Sequence, residues 1–462
     1  MRNPAKGRPH PQLWDSCWRA IQSLRPAFSR GVTFMWFATV VVGLMVRSDL
    51  LGVTSIIRAL NLRPKLYDPL RKHFHSSAIK LDQLAVLWAR TVQRLFSNPV
   101  RFKGRLVLVG DGIKIPKRGK QMPGVKLLHQ QSNCSTKPEY IMGHSLQAVA
   151  LLVHAASSFF AVPLALRIHE GLVWSNRDKR TLLDKMLGLI ETLTITDPFY
   201  FVADAYYAAG KIVKGLLKQG NHLVTRVKSN AVTYLPVEPK KGRRKRGRPK
   251  LYGKKIRVTS LLTDHKSMEE AVVNVYGEGG VKIRYCMRDL MWRPVGRLVR
   301  FVAVIHPTRG AILLMSTDLT LCALDIISIY GLRFKIEHMF RQAVRLIGSF
   351  FYHFLDDGYE TVATPERKSV PSSRVGSLPR PSPPQNPCLP CLHAGWHHRP
   401  RPASVSLGRV SQAGLGVVRL LAQNHSSRHS TIGTCRRSRD ARNDFRFSRE
   451  LRQKQFSRKI HR

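Results

Sequence analysis

The sequence contains few acidic residues for its size. Among 462 residues there are 28 Asp and Glu against 77 Lys and Arg, and the formal net charge is +49. A chain this basic favours a polyanionic partner, with nucleic acid as the first candidate and an anionic membrane surface as the second. Such charge predicts salt-dependent binding to any DNA, but it indicates neither a sequence preference nor a chemistry.

Cysteine and long apolar runs are also scarce. Seven cysteines at irregular spacing argue against the disulfide framework of a secreted protein, and a reducing cytoplasm fits better. The one membrane-like stretch, Gly31 to Val46, falls short of the roughly 20 apolar residues of a spanning helix. It also begins too far along the chain for a signal peptide. A buried helix is the preferred interpretation, while an interfacial or inserted segment stays open.

Residues 1–100 have the pattern of a helical domain. Ser55 to Leu62 and Asp82 to Phe96 carry helical apolar spacing and are separated by the Arg63-Pro64 break. The region between them is basic. A DNA-binding domain with helix-turn-helix character and an ordinary helical packing module both fit this pattern.

From residue 101 to 354 the pattern predicts an α/β domain. Two short apolar runs end at an acid, since Arg105 to Gly110 precedes Asp111 and Phe199 to Ala203 precedes Asp204. The other predicted elements are the strands Ser145–Ala155, Phe159–Ile168 and His222–Val227, and the helices Arg177–Thr194 (with Asn176 as N-cap), Tyr206–Gln219 and Ala323–Ser349. This order is that of an RNase H-like fold, in which acids at two strand exits converge and a third reaches them from a packed helix.

The helix predicted over Ala323–Ser349 carries that third acid. One face has the apolar spacing of a buried helix, and the other aligns Tyr330, Arg333, Glu337 and Arg341. A surface ion-pair ladder would explain this second face. So would an acidic metal ligand among phosphate-binding groups. Three separated carboxylates suit two divalent ions, which take oxygen ligands and can promote phosphodiester cleavage.

Residues 230–317 are predicted to be a β-rich insertion ahead of this helix. The insertion opens with the densest basic run of the chain, Lys240 to Lys255, part of which is similar to an AT-hook. Phosphate contact is favoured over groove recognition, and a solvated loop is the alternative. The proposed DNA contacts in this run are Arg243, Arg244, Lys245, Arg246, Arg248 and Lys250. The predicted strands are Lys255–Leu262, Ala271–Tyr276, Val281–Met287, Leu298–Ile305 and Ala311–Met315.

Three segments resemble the DDE transposases of bacterial insertion sequences. They are GDG around Asp111, FVADAYY around Asp204, and STDLTLCALDIISIYGLRFKIEHMF. A subgroup of that family has the signature Tyr, two residues, Arg, three residues, Glu, six residues, Lys, and a β-rich insertion before the Glu helix. Tyr330, Arg333 and Glu337 match it in register. The Lys position falls on Val344, with Arg345 beside it and Arg341 one turn earlier.

The resemblance implies cut-and-paste transposition. Asp111, Asp204 and Glu337 would hold two Mg²⁺ ions, for which Mn²⁺ can substitute, while DNA is hydrolysed at each element end and joined to target DNA. Tyr330 and Arg333 would orient the end DNA through its phosphates, with Arg341 and Arg345 as further contacts. A homodimer in the synaptic complex and a bacterial cytoplasmic, nucleoid-associated location are also implied. Neither a small-molecule substrate nor a membrane is expected.

Residues 355–462 depart from the family pattern. They are rich in Arg, Pro and Ser and lack sustained periodicity, which predicts a disordered tail. The abrupt change is typical of a shifted reading frame, so we consider a damaged, inactive copy. Two other functions stay open: a non-catalytic nucleic-acid-binding protein with structural acids, and a membrane-associated basic protein that uses Gly31 to Val46.

Overall fold

The computed structural model describes residues 12–49, 52–117, 124–129, 138–155, 157–169, 180–237, 250–275 and 277–349. These residues form a mixed α/β structure. The helices are α1 (Gln12–Gln22), α2 (Gly31–Val46), α3 (Val53–Ala59), α4 (Tyr67–His73), α5 (Leu81–Leu95), α6 (Leu182–Thr192), α7 (Gly210–Lys218), α8 (Ser260–Thr263), α9 (Ala323–Gly331) and α10 (Lys335–Gln342). The strands are β1 (Arg101–Phe102), β2 (Arg105–Pro116), β3 (Lys126–His129), β4 (Tyr140–Ala155), β5 (Ser158–His169), β6 (Phe199–Ala203), β7 (His222–Arg226), β8 (Val232–Tyr234), β9 (Lys255–Arg257), β10 (Glu269–Val275), β11 (Glu278–Trp292), β12 (Arg297–His306) and β13 (Gly310–Ser316). Described residues from Trp18 onward belong to one compact unit, and those before it to another.

Helices precede the first strand, and α3 and α5 confirm the two predicted in that region. Val40 of α2 packs with Ile56 and Ile57 of α3 and Leu70 of α4 in a small apolar core. α5 packs against the sheet and not in this small core. The indole of Trp88 in α5 donates a 2.8 Å hydrogen bond to the carbonyl of Pro163 in β5. No helix in the described ranges is long and apolar enough to span a membrane. The helix-turn-helix character stays a prediction.

One continuous sheet organises the rest of the described chain. Its first part has the order β5, β4, β2, β6, β7. β2, β6 and β7 run parallel, while β4 is antiparallel to β2 and β5 is antiparallel to β4. β13 then pairs antiparallel with β7 and is followed by β12 and β11. The strands predicted for residues 230–317 therefore extend this same sheet, and β10 to β13 confirm four of them.

Several predicted boundaries were wrong. The strand expected over Lys255–Leu262 ends at Arg257, because the chain then turns into α8 and buries Val258 and Leu261. The helix expected from Arg177 begins at Leu182, where Thr181 and Asp184 form a capping box. The predicted N-cap, Asn176, lies outside the described residues, as do the tail 355–462 and most of the basic run.

The helix predicted over Ala323–Ser349 is broken after Gly331. Five i→i+3 bonds replace the α-helical pattern there, from the amides of Leu332, Arg333, Lys335, Ile336 and Glu337 to the carbonyls three residues earlier. Glycine is a poor helix former, costing about 1 kcal/mol relative to alanine, which weakens the helix at this point. The apolar face nevertheless survives the break, since Ile329, Ile336 and Phe340 are all buried against the sheet.

Candidate active site

Strand register brings Asp111 and Asp204 to the same end of two neighbouring parallel strands. Val109 of β2 lies opposite Val202 of β6, so each acid follows two residues after a shared rung of the ladder. Side chains alternate between the faces of a sheet, which puts Asp111 on the face of Val109 and Asp204 on the face of Val202. Both valines pack in the core that α9 and α10 cover. The two acids therefore extend the face of the sheet against which these helices pack.

The position of Asp111 corrects the sequence-based expectation in one respect. Asp111 was expected at the exit of its strand, yet β2 continues to Pro116. The reason is β4, which pairs with β2 from Leu108 as far as Pro116 and so keeps the backbone extended beyond the acid. The side chain is 19% exposed and lies within the sheet.

Glu337 is connected to Asp111 through Arg333. Nη1 of Arg333 lies 3.0 Å from Oδ2 of Asp111, and its Nη2 lies 2.6 Å from Oε1 of Glu337. The Arg333–Glu337 pair is the i,i+4 contact that a surface ladder would contain. The contact with Asp111 is not part of such a ladder, since it joins residues 222 positions apart in the chain. One guanidinium thus bridges two of the three predicted acids.

The pKa of Asp111 is affected by both of the other acids. Burial raises the pKa of this carboxyl to about 6, the Arg333 charge opposes the rise, and the charges of Asp204 and Glu337 add to it. Like charges raise a carboxyl pKa only when they are near enough to interact. Asp204 and Glu337 therefore lie within electrostatic reach of Asp111.

Hydrogen bonds fix the backbone around Asp204. Its carboxylate accepts a 3.0 Å bond from the amide of Tyr206, and its carbonyl accepts a 2.7 Å bond from the hydroxyl of Thr225 in β7. The next tyrosine, Tyr207, is buried, and its hydroxyl accepts a bond from the side-chain amide of Gln147. The supporting roles of Tyr207, Gln147 and Thr225 were not predicted, although the Tyr206-Tyr207 pair directly after the acid is visible in the sequence.

Apart from Arg333, which pairs with two of the acids, the predicted DNA-contacting residues fall into three groups. Tyr330 is 7% exposed in the core, and burial raises its pKa while the nearby charges of Arg333 and Arg226 oppose the rise. Arg341 is exposed on α10, Arg345 is exposed on the π-helical segment Ala343–Ile347 that follows it, and Lys250 is exposed within the basic run. The remaining contacts lie outside the described residues: Arg243, Arg244, Lys245, Arg246 and Arg248. Arg226, at the end of β7, was not predicted.

The three carboxylates have the right donor chemistry for a hard divalent cation. Within the described ranges, however, no group of three or more His, Cys, Asp and Glu side chains is arranged to hold a metal ion. The cation that contacts Asp111 and Glu337 is the guanidinium of Arg333. The three carboxylates are therefore suitable ligands for a metal ion, and the positive charge that contacts two of them in this structure is that of Arg333.

Comparison with known proteins identifies the family. No curated protein matches the chain. A solved structure titled as a piggyBac transposase synaptic complex with hairpin DNA is similar with a TM-score of 0.32 and 10% identity, over 75% of this chain and 62% of that one. The chain thus spans less than two thirds of that transposase, and we draw no conclusion about fold or function from a similarity this low.

The family model described as DDE superfamily endonuclease matches residues 23–293. The match includes Asp111 and Asp204 and ends before α9, so Glu337 lies beyond it. Because it covers more than half of the 462 residues, the protein belongs to the DDE superfamily endonucleases.

Proposed function

We propose that the protein is a DNA transposase of the bacterial insertion-sequence type, which cuts a mobile element from DNA and joins it to a target. The observation that carries the proposal is the convergence of acids. Asp111 and Asp204 extend one face of neighbouring parallel strands, and Arg333 links Asp111 to Glu337 on the helix that packs over them. Membership of an endonuclease family supports a reaction at phosphodiester bonds.

The strand order supports an RNase H-like core for this enzyme. The three strands β2, β4 and β5 follow one another as antiparallel neighbours, and β6 and β7 then join β2 on its other side in parallel. With α6 after β5 and α7 after β6, these strands follow the order expected from the sequence, to which the structure adds the unpredicted strands β1 and β3. The β-rich insertion follows β7 in the chain and pairs with it through β13, and it precedes α9 and α10, the second of which bears Glu337.

Asp111, Asp204 and Glu337 would hold two Mg²⁺ ions, or Mn²⁺ in their place. Such ions activate an attacking oxygen and stabilise the leaving oxygen in phosphodiester cleavage. The protein contributes the orientation of the acids: Thr225 fixes the backbone of Asp204, and β4 holds Asp111 within an extended strand. Arg341, Arg345 and Lys250, all exposed, would bind phosphates of the element ends and the target.

DNA is the partner that the charge of +49 favours. Two element ends must be held together for cut-and-paste transposition, so we propose a homodimer as the synaptic unit. The location proposed is the bacterial cytoplasm, in association with the nucleoid.

The test is strand cleavage by the full-length chain. A supercoiled plasmid that carries the gene with its flanking DNA is incubated with protein and Mg²⁺, and nicking and end cleavage are measured beside DNA binding by gel shift. Glu337→Gln should abolish cleavage and leave binding intact, because it removes a ligand charge and keeps the side-chain shape. Glu270→Gln, at an exposed glutamate of β10 paired with Lys282, is the matched control and should cleave like the wild type. Cleavage by Glu337→Gln at the wild-type rate would overturn the assignment.

A second function, non-catalytic nucleic-acid binding, is favoured by one observation: Arg333 pairs with two of the acids as it would in a purely structural network. In that case, the wild type binds the plasmid and shows no Mg²⁺-dependent nicking. A damaged copy would give the same result. The coding DNA separates the two, because a family-like continuation of the tail in another frame would identify a frameshift.

A further inference from the structure

The guanidinium of Arg333 has engaged one oxygen of each of two proposed metal ligands. Its Nη1 atom is 3.0 Å from Oδ2 of Asp111, and its Nη2 atom is 2.6 Å from Oε1 of Glu337. Charge-assisted hydrogen bonds of this length are strong and directional. The other oxygen of Asp111, Oδ1, already accepts a 2.7 Å hydrogen bond from the amide of Gly112. A divalent ion bound by Asp111 and Glu337 would also lie beside the guanidinium and repel it, so the ion and Arg333 compete for the two carboxylates.

Burial makes a counterion necessary here. The side chain of Arg333 is 18% exposed and that of Asp111 is 19% exposed, so neither charge is well solvated. An ionised carboxylate in such a place is stabilised only by a partner of opposite charge or by hydrogen bonds. The other two acids add negative charge nearby. Without Arg333 or a metal, the three carboxylates would repel one another.

We infer that Arg333 is a built-in counterion, which holds Asp111 and Glu337 in position before metal arrives and is displaced from them when the divalent ion binds. The inference rests on the proposed function, since it requires the acids to be metal ligands. Arg333 is a positioning residue in this scheme, because it acts through the two carboxylates. Its position on the turn between α9 and α10 lets the long side chain move without moving either helix.

Displacement has a consequence for DNA. A guanidinium released from two carboxylates is a bidentate donor for a phosphate, the role that the resemblance implies for Arg333. Binding of metal to the acids and binding of phosphate to Arg333 then favour each other. By thermodynamic linkage, each ligand must raise the affinity for the other by the same factor.

Mn²⁺ alone, without DNA, tests the competition. Binding to the full-length protein is measured from the electron paramagnetic resonance signal of free Mn²⁺, for the wild type and for Arg333→Gln. We expect the Kd for Mn²⁺ to fall about tenfold in the variant, which corresponds to about 1.4 kcal/mol. Arg297→Gln removes the same charge from an exposed position at the start of β12 and should change the Kd by less than about twofold, as expected for a screened surface charge.

Thermal unfolding with EDTA and with Mn²⁺ separates this role from a merely structural one. A counterion predicts that Arg333→Gln melts below the wild type in EDTA and gains more from Mn²⁺ than the wild type does. A structural Arg333 predicts equal losses in both conditions and a Kd that is unchanged or higher, and that result would overturn the inference.

A third variant, Asp111→Asn, separates the inference from the proposed function. If Mn²⁺ binding depends on Asp111 but is no tighter in Arg333→Gln, the inference fails and the proposed metal site stands. If Asp111→Asn binds Mn²⁺ as tightly as the wild type does, Asp111 is not a metal ligand, and the proposed function fails together with the inference.

Discussion

Two glycines flank Asp111, and the structure gives them different roles. A Cβ atom at Gly110 would lie 2.2 Å from Cζ of Phe201 and 2.4 Å from its Cε2. Phe201 is fully buried in β6, so its ring has no free space into which to move. At Gly112 the nearest atoms would be the carbonyl oxygen of Leu146 at 3.5 Å and the hydroxyl of Tyr207 at 3.8 Å, which are ordinary contacts. We therefore predict that Gly110→Ala destabilises the protein and that Gly112→Ala does not.

The magnitude follows from the overlap. Inserting a methyl group into a well-packed core typically costs about 1–3 kcal/mol, because side chains and backbone must shift. A Gly→Ala change also restricts the unfolded chain and contributes about 0.4–1 kcal/mol of stability where the backbone permits it. Both glycines lie in β2, so this second contribution is shared, and the two variants should differ by about 1–3 kcal/mol.

Equilibrium unfolding in urea measures this difference, with EDTA present to exclude metal effects. The midpoint should fall for Gly110→Ala and stay at or slightly above the wild-type value for Gly112→Ala, with unchanged slopes. Equal midpoints in the two variants, or a lower midpoint for Gly112→Ala, would refute the steric argument. A shifted midpoint for Gly110→Ala would also show why the residue before Asp111 is a glycine.

Three other changes test contacts away from the acids. Burial lowers the pKa of His73 from 6.5 to about 4, so between these values the unfolded chain binds more protons and stability is lost as pH falls. His73→Leu should flatten that loss in urea midpoints measured across this pH range. Trp88→Phe removes the hydrogen bond to the carbonyl of Pro163 and should cost about 1–2 kcal/mol in the same assay. Thr181→Ala should cost about 1 kcal/mol by breaking the capping box of α6, and Thr181→Ser, which keeps a hydroxyl, should cost much less.

The sheet was predictable where apolar runs are buried on both faces. All five residues of β6 are buried, and the strand has the bounds that the sequence predicted, Phe199 to Ala203. Such a strand can be recognised in the sequence without knowing which strands lie beside it, because burial on both faces requires apolar residues at every position. The convergence of Asp111 and Asp204 could likewise be expected from parallel strands, and the register of β2 and β6 agrees with it.

The features that could not be predicted from the sequence depend on contacts between distant parts of the chain. The length of β2 beyond Asp111 is set by β4, and the bond from Gln147 to Tyr207 joins residues 60 positions apart. The contact from Arg333 to Asp111 spans 222 positions. Periodicity reports only which face of an element is apolar, so it indicated that Arg333 and Glu337 share a helix face and could not indicate the third partner.

The break after Gly331 explains how the predicted helix can begin over one part of the sheet and place Glu337 over another part. α9 packs against β13, β7 and β6, whereas α10 packs against β2 and β5. Adjacent strands in a sheet are rotated by about 20–25°, so a straight helix that crosses this many strands loses contact with the surface. Tightening the chain at Leu332 to Lys335 lets each half follow the local direction of the sheet, and both halves keep their apolar faces buried. The same turn carries Arg333, which is therefore placed between Glu337 on the second half and Asp111 on the strand beneath it.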